Sequence, residues 1–584
     1  MPQIVLFNLS DYRPLSTKVL ARSLGKAGID CSVLDFSDFA RKIISPKKGF
    51  YNSNKFSDFV EAVKKDINRE SNTLSSTRFF GISFYDWEAE RSITIPIARF
   101  LKQRFPNALL IGGGPAFNTN PKGYFSAAKL DYAIAGEAEK ALPALVKAVL
   151  ASDSKALHNV DGLVYRSGKR IILPQKKAML SFEEIRGSPA IFSLESKGRV
   201  VTYSERGCGN ACVFCSVPRR GMPVALADET IISAINELAK NDYIKEIHFA
   251  DDQLFFNKDR ISRVFGRIIE LGLNKRFRFS GLATIDSFLK DGKVDYQFIN
   301  FLKRANFSHL AVGTESLNDA VLRELKGGRY TSVQAIKVNS ALKSAGIKTA
   351  HFMLAGGIET RAKDFLESYY RGLVKSYRLS GEYAYPSIVQ AFRGSAFYEK
   401  ARKEGALFTQ MGRPFKETKK PSITTAFVVP KDPLLREVFL EKMRKGGKNF
   451  PEGDLKRMIK LSKKLDSLGQ NSEGMTRRLQ RQFGNEEIIY RERGNTFYNF
   501  YLNFLSNEMK KRGLKINHRN HMKLIRESGV EQRLFDQARL AARKYASARA
   551  TAEGLKGKSR LMQVRKMRQK FGVGMTLPGR FKVK

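Results

Sequence analysis

The segment SERGCGNACVFCSVPRR places Cys208, Cys212 and Cys215 in a CxxxCxxC spacing directly after a β-prone run. Three thiolates on one tight loop can hold three corners of a cubane iron–sulfur cluster and leave one iron open to an external ligand. That vacancy is where chemistry would happen. Zinc is the competing reading, but structural zinc sites close with four ligands, commonly as two CxxC-like pairs. None of the six histidines lies near these cysteines in sequence. Three structurally inert cysteines are the remaining alternative.

A loop of this kind needs a rigid strand behind it. From Arg199 to about Gln390 the β-prone runs RVVTYS, EIHFAD, FRFSG, HLAVGTES, IKTAHFML and EYAYPSIVQ alternate with helical patterns such as DETIISAINELAKN and DRISRVFGRIIELG. Six βα repeats of this length suit an open or partial barrel, and the cysteines then follow its first strand. Upstream, from Pro2 to about Leu150, the runs QIVLFNL, CSVLDF, RFFGISF, ALLIGGG and LDYAIAG are separated by helical patterns at 15–27 and 93–104. This alternation predicts a doubly wound parallel sheet with helices on both faces. Ligands of such sheets sit beyond the strand carboxyl ends, here Asn8 to Asp11, Ser83 to Tyr85, and Gly112 to Pro115.

The expected organisation is therefore an α/β chain: a Rossmann-like domain over 1–150, a linker with a small hairpin (VDGLVYRSGKRIIL) over 151–195, the barrel over 196–404, and a basic, mostly helical region over 405–584. The chain has 584 residues, 42% apolar and 27% charged, which is ample for several cores and excludes a disordered tail. Its formal charge of +46, from 103 Lys and Arg against 57 Asp and Glu, favours a polyanionic partner or an unusually basic host. Roughly half of that charge lies beyond Pro430, and the last 75 or so residues carry roughly 22 basic against 4 acidic side chains.

Four cysteines are too few for a secreted disulfide scaffold. The first residues lack the marks of a secretory signal, and no apolar run reaches the length of a membrane span. A cytoplasmic location is expected. Cys31 reads as a small buried apolar residue at a strand start.

The segment from Arg199 to about Gln390 resembles the radical SAM superfamily core, whose CxxxCxφC signature is matched here with Phe214 as the aromatic φ. The resemblance implies a [4Fe-4S] cluster whose unique iron binds the amino and carboxylate groups of S-adenosylmethionine (SAM). One electron then cleaves the sulfonium and yields a 5'-deoxyadenosyl radical. Asp251 and Asp252, in HFADDQLFF, resemble the element that receives the methionine amino group. Glu315, in VGTES, resembles the fourth-strand glutamate near the ribose and methionine end. Gly356, Gly357 and Glu359, in FMLAGGIET, resemble the fifth-strand element beside adenine, although many relatives have Gly-x-Pro-Gly-Glu there. Helix capping by Asp and a plain Gly-Gly turn are the alternatives.

Placed before such a core, the first domain is similar to the cobalamin-binding domain of the class that joins the two. The similar stretches are FFGISFYDW, IGGGPAFNTNP and LDYAIAGEAEKALPAL, which point to Ser83, Gly112, Gly113, Gly114, Gly136 and Glu137 as cofactor contacts. The DxHxxG motif that supplies a cobalt-ligating histidine is absent, and no His precedes His158, so a bound cobalamin would lack a His ligand from this domain. A domain that keeps these loops without a corrin is the alternative. With only Cys31 upstream of the signature, the second cluster of the methylthiotransferases has no ligands.

The combined resemblance implies cobalamin-dependent methyl transfer to an unactivated carbon of an unknown small-molecule or peptide substrate, with no catalytic side chain assignable. A non-methylating radical cyclase or rearrangement enzyme is the alternative, as is an RNA- or nucleoprotein-associated modifying enzyme. A flavodoxin or ferredoxin is the implied electron donor, and acidic carriers suit a basic surface. Nucleic-acid binding would draw on the cations and aromatics of 491–513, but Phe497, Phe500, Tyr501 and Phe504 recur at helical spacing and read better as core.

Overall fold

In the computed structural model the described residues are 2–447, apart from 10–14, 38–39, 41–54, 87, 196–197, 211, 218, 220, 363, 366–367, 369–380, 384–385, 418–421 and 446. The segment 491–513 and most of the region 405–584 lie outside them.

The first sheet is built from β1 (Ile4–Asn8), β2 (Cys31–Asp35), β3 (Phe79–Ser83), β4 (Leu109–Gly113), β5 (Tyr132–Ile134), β6 (Leu163–Ser167) and β7 (Arg170–Ile172), in the order β2-β1-β3-β4-β5-β6-β7. The first five pair in parallel; β6 and β7 are antiparallel additions. The hairpin of the expected linker thus continues this sheet, turning at Gly168, whose φ of 55° a side chain rarely adopts. Continuous apolar runs arise because both faces are covered. Alternate residues point to opposite sides, so Val5, Phe7 and Phe80 enter one core while Ile4, Leu6 and Phe79 enter another. The helices Lys55–Arg69 and Glu88–Arg104 cover the former through Phe59, Val63, Ile97 and Leu101; Leu15–Lys26 and Ala138–Leu150 cover the latter through Leu24, Leu142 and Leu145. Each such side chain contributes about 1.5–3 kcal/mol by leaving water.

Cys31 opens β2, as expected of a strand start, but it is only half-buried. Burial, and then Asp30, push its thiol up to about 11.

After the short β8 (Ser193–Leu194) comes β9 (Arg199–Thr202), then the hairpin of β10 (Glu205–Arg206) and β11 (Val224–Ala225), between whose strands the cysteine loop is held. The following strands are β12 (Glu246–Phe249), β13 (Arg278–Thr284), the hairpin pair β14 (Leu289–Lys290) and β15 (Lys293–Val294), β16 (Phe307–Glu315) and β17 (Lys348–Met353). The second sheet is seven-stranded and from β17 runs β17-β16-β13-β12-β9-β8, with β9, β12, β13 and β16 parallel. Helices Asp228–Leu238, Lys258–Glu270, Tyr296–Arg304 and Ser332–Ser344 intervene, giving a partial barrel of βα units. Phe265 clamps this core, with its ring 5.1 Å from Phe279 and 4.8 Å from Phe307.

The expected sixth strand, EYAYPSIVQ, is divided. Gly381–Tyr383 is one short strand, whereas Gln390–Ala391 pairs with Ala426–Val428 in a separate three-stranded sheet. Pro386 in the middle lacks the N–H that a continuous ladder requires.

The chain divides into two compact units: Met1–Glu315, Leu322–Phe352 and Val389–Val428 form the first, and Ser316–Val321, Met353–Ile388 and Val429–Lys584 the second. In the first, the segment after Val389 is tied to the doubly wound domain by half-buried polar bonds: Gln390 donates to the Asp86 carbonyl (2.6 Å) and Asn120 to the Ser422 carbonyl (2.7 Å). In the second, Phe365 packs edge-on against Phe439 of the helix Pro433–Arg444. Among the described residues no helix is long and apolar enough to cross a membrane.

Candidate active site

The cysteine loop hangs between β10 and β11 and is closed on itself by backbone bonds. The Cys208 N–H donates to the Arg219 carbonyl (3.3 Å) and the Cys215 N–H to the Cys212 carbonyl (3.1 Å). Gly207 permits this closure: its φ is 88°, and a Cβ there would stand 2.7 Å from the Arg219 carbonyl oxygen.

Donors surround the sulfurs. Asn210 N–H reaches Cys208 Sγ at 3.4 Å, Val217 N–H reaches Cys215 Sγ at 3.5 Å, and the Arg329 guanidinium reaches Cys212 Sγ at 3.3 Å. Burial pushes the Cys208 thiol up to about 11, and Cys212 and Cys215 add to that rise. The three sulfurs thus share one electrostatic environment. As they stand, no three His, Cys, Asp or Glu among the described residues are gathered closely enough to hold a metal ion. Three thiols with backbone and guanidinium donors aimed at them are nevertheless a donor set that fits a thiolate-bound iron–sulfur cluster, whose sulfurs are stabilised by such bonds.

Gln253 anchors the loop to the sheet. Its carbonyl accepts from Asn210 Nδ2 (2.5 Å) and Cys208 Sγ (3.3 Å), and its amide donates to Thr284 (2.8 Å) and Ser287 (3.0 Å).

The two aspartates after β12 face different ways. Asp251 is fully buried and accepts from the Ser204 N–H (3.1 Å) and hydroxyl (3.0 Å), so its oxygens serve the end of β9. Burial lifts it to about 6. Asp252 lines a cavity and is raised by burial, against one backbone bond from Gly207.

Glu315 closes β16 in the left-handed region (φ 55°), buried, 3.4 Å from Lys326 Nζ. Burial opposes the charge on Lys326, but Glu315 and Cys212 outweigh it and hold its pKa up. The same ammonium lies 6.0 Å from the centre of the Phe214 ring, beside the cysteines. Glu315, Lys326 and Cys212, all buried, therefore form one group with the half-buried Phe214 and Arg329.

In the second unit, Gly356 (φ 128°) and Gly357 make a turn whose backbone is held by Thr360, 2.8 Å from the Gly357 nitrogen. Glu359 is exposed and pairs with Lys431 at 3.1 Å.

The loops of the first sheet meet the cysteine strand around one cavity of ≈ 450 Å³, within ≈ 1560 Å³ of empty space when its open mouth is included. Ser83, Gly112, Gly113, Gly114, Gly136 and Glu137 all line it, as do Tyr203, Glu205, Arg206, Gly207, Val217 and Asp252 from around the cysteines. The glycines differ in what needs them. A Cβ at Gly112 would meet Leu130 at 2.3 Å, one at Gly114 Ser83 Oγ at 2.5 Å, and one at Gly136 the Ala178 carbonyl oxygen at 2.1 Å, so protein packing requires all three. A Cβ at Gly113 meets only the Ile134 carbonyl oxygen, at 3.9 Å. Gly113 thus has the open backbone that lets a flat ligand approach, which fits the corrin reading.

Glu137 has a different part. It receives a two-pronged bond from Arg219 (Nε 2.9 Å, Nη2 2.6 Å), accepts from the Leu180 N–H (2.8 Å), and lies 3.5 Å from Arg206. Despite its burial, these partners hold its carboxyl below the usual range. It ties the first sheet to the cysteine loop, and its oxygens are already occupied. Sequence reasoning overlooked Gln253, Arg329, Lys326, Arg219 and Glu205; only Glu205 and Arg219 carried a signal, as the charged residues flanking the cysteines.

Comparison with known proteins agrees with this layout. The family model described as "Radical SAM superfamily" matches residues 203–368. The chain is 23% identical over 295 residues to an anaerobic magnesium-protoporphyrin IX monomethyl ester cyclase of a Synechocystis species, covering 47% of this chain and 55% of the cyclase. It thus spans about half the length of that curated relative. Among solved structures, the methyltransferase TsrM of Kitasatospora setae, with tryptophan and a SAM analogue bound, superposes with a TM-score of 0.59 at 14% identity, over 78% of this chain and 89% of that one. The cobalamin-dependent enzyme OxsB, with aqua-cobalamin and SAM bound, gives 0.58 at 14% identity over 98% and 84%. The fold is theirs: a Rossmann-like sheet joined to a radical SAM barrel. A [4Fe-4S] cluster and SAM are the cofactors of a radical SAM domain, and its chemistry requires an external reductant. Residues 203–368 of this chain thus match the radical SAM superfamily, in the fold of cobalamin-dependent radical SAM enzymes.

Proposed function

We propose that the protein is a cobalamin-dependent radical SAM methyltransferase acting on an unactivated carbon of a small molecule or peptide. The observation that carries this is the shared cavity. Loops of the first sheet that would contact a corrin, and residues flanking the three cysteines, form its wall together. A methyl donor and a radical generator must face one substrate, and a common cavity supplies that proximity.

Cys208, Cys212 and Cys215 would hold the cluster, and Phe214, Asp252 and Glu315 would contact SAM. Gly113, with Ser83 nearby, would lie under the corrin. When bound, the cluster supplies the electron that cleaves SAM, and cobalamin supplies the methyl group. The protein's own part is positioning. Arg329 steadies the Cys212 sulfur, Gln253 fixes the loop to the barrel, and Lys326 pairs with Glu315. The largely apolar wall, with Leu6, Ile82, Ile111 and Leu142, would keep water from a reactive intermediate. The domains would then divide as 1–150, 151–195, 196–404 and 405–584, with a cytoplasmic flavodoxin or ferredoxin as the electron donor.

Ring closure without methyl transfer is the second reading, favoured by the identity to the Synechocystis cyclase. Anaerobic reconstitution tests the first. About four irons per chain, retained cobalamin with absorbance changes on reduction, and reductive SAM cleavage lost in Cys212→Ala are expected. Zinc in the loop, or a colourless protein after growth with cobalamin, would refute it.

A further inference from the structure

Glu205 stands at the start of β10, three residues before Cys208, and lines the shared cavity. It is 6% exposed, and its Oε1 is buried without a hydrogen-bond partner. A buried acceptor left unmade costs free energy, so a fold keeps one only where something else satisfies it. Its charged neighbours do not: Asp251 and Asp252 repel its charge, and Arg260, which attracts it, gives its Nε–H to Asp228 at 2.9 Å. Burial and these aspartates raise its carboxyl to about 7.

The other acidic groups on the cavity wall are occupied. Glu137 serves Arg219 and the Leu180 N–H, Glu139 pairs with Arg206 at 2.6 Å, and Asp252 accepts from the Gly207 backbone. Among the described acidic residues lining the cavity, Glu205 therefore has a buried oxygen that no protein donor meets. What the cavity asks for is a large, mostly apolar ligand with an N–H donor at one edge.

We infer that Glu205 accepts a hydrogen bond from a carboxamide N–H on the rim of the corrin, and so serves as a positioning residue for that cofactor. The inference rests on the reading of this cavity as the cobalamin site. A cobalamin rim carries primary carboxamides, each with two N–H donors, and a carboxylate is the stronger acceptor for them.

The test is equilibrium dialysis of hydroxocobalamin against the cluster-loaded protein and its variants Glu205→Gln and Glu205→Leu, with SAM binding and thermal melting in parallel. Gln keeps an acceptor oxygen and should hold cobalamin within about threefold of wild type, whereas Leu should weaken it by about tenfold or more. Melting of ligand-free Glu205→Leu should be no lower than wild type, because the substitution removes an unsatisfied polar group. Equal cobalamin binding by wild type and Glu205→Leu overturns the inference and leaves the cobalamin reading intact. Loss of SAM binding in place of cobalamin binding also overturns it. If wild type takes up no cobalamin, the cobalamin reading itself has failed.

Discussion

The Arg219 guanidinium, 3% exposed, lies flat against the Glu137 carboxylate with nitrogen–oxygen distances of 2.9 and 2.6 Å. Glu137 stands immediately before the first helix after β5, and Arg219 closes the cysteine loop by accepting the Cys208 N–H on its carbonyl. The pair therefore joins the first sheet to the loop that carries the thiols. Glu137→Ala strands a buried cation and should cost about 3–5 kcal/mol in denaturant unfolding. A double-mutant cycle with Arg219→Met should return a coupling of about 1 kcal/mol or more. Additive losses would show that the contact is incidental.

The bond from Arg329 to Cys212 Sγ stabilises negative charge on that sulfur. Reduction adds an electron nearby, so losing the bond should lower the midpoint potential of a cluster held there. Potentiometry of reconstituted Arg329→Gln should show a fall on the order of 60 mV, a tenfold change for a one-electron couple.

Stability should vary with pH through Glu205. Its folded value, about 7, lies above the ordinary 4.5, so the folded state holds the proton more tightly than the unfolded state does. The associated stability is fully present below about 4.5 and is lost as pH rises through about 7. Glu205→Gln should remove that loss, leaving the ligand-free variant more stable than wild type at pH 8 by on the order of 1–3 kcal/mol. Parallel stability–pH curves for the two proteins would contradict this.

Adjacent glycines in β4 and after it should behave oppositely. Gly114→Ala forces a Cβ against Ser83 and Phe84 at a φ of 91° and should destabilise by about 2 kcal/mol or more. Gly113→Val meets open space in a strand, should stay within about 1 kcal/mol of wild type in stability, and should weaken cobalamin uptake by intruding on the cavity. Melting curves and cofactor dialysis separate the two effects.

Much of this was already written in one dimension. Strand periodicity marked the first sheet and the βα units because burial on both faces demands unbroken apolar runs, and the cysteine spacing is local, so one loop states it completely. The sequence also pointed to Ser83, Gly112 to Gly114, Gly136 and Asp252, which all line one cavity. Their individual parts depended on neighbours distant along the chain. Gly112 is needed by Leu130 and Phe117, Gly136 by Ala178, and only Gly113 faces open space. Asp251 and Asp252 look equivalent in HFADDQLFF, yet β12 turns one toward Ser204 and the other toward the cavity. Glu137 is taken by Arg219, 82 residues away, and Cys212 by Arg329, 117 away. Residue type and spacing determine which chemistry is available; whether a carboxylate or a glycine serves a ligand or the protein is set by side chains that only folding brings within bonding distance.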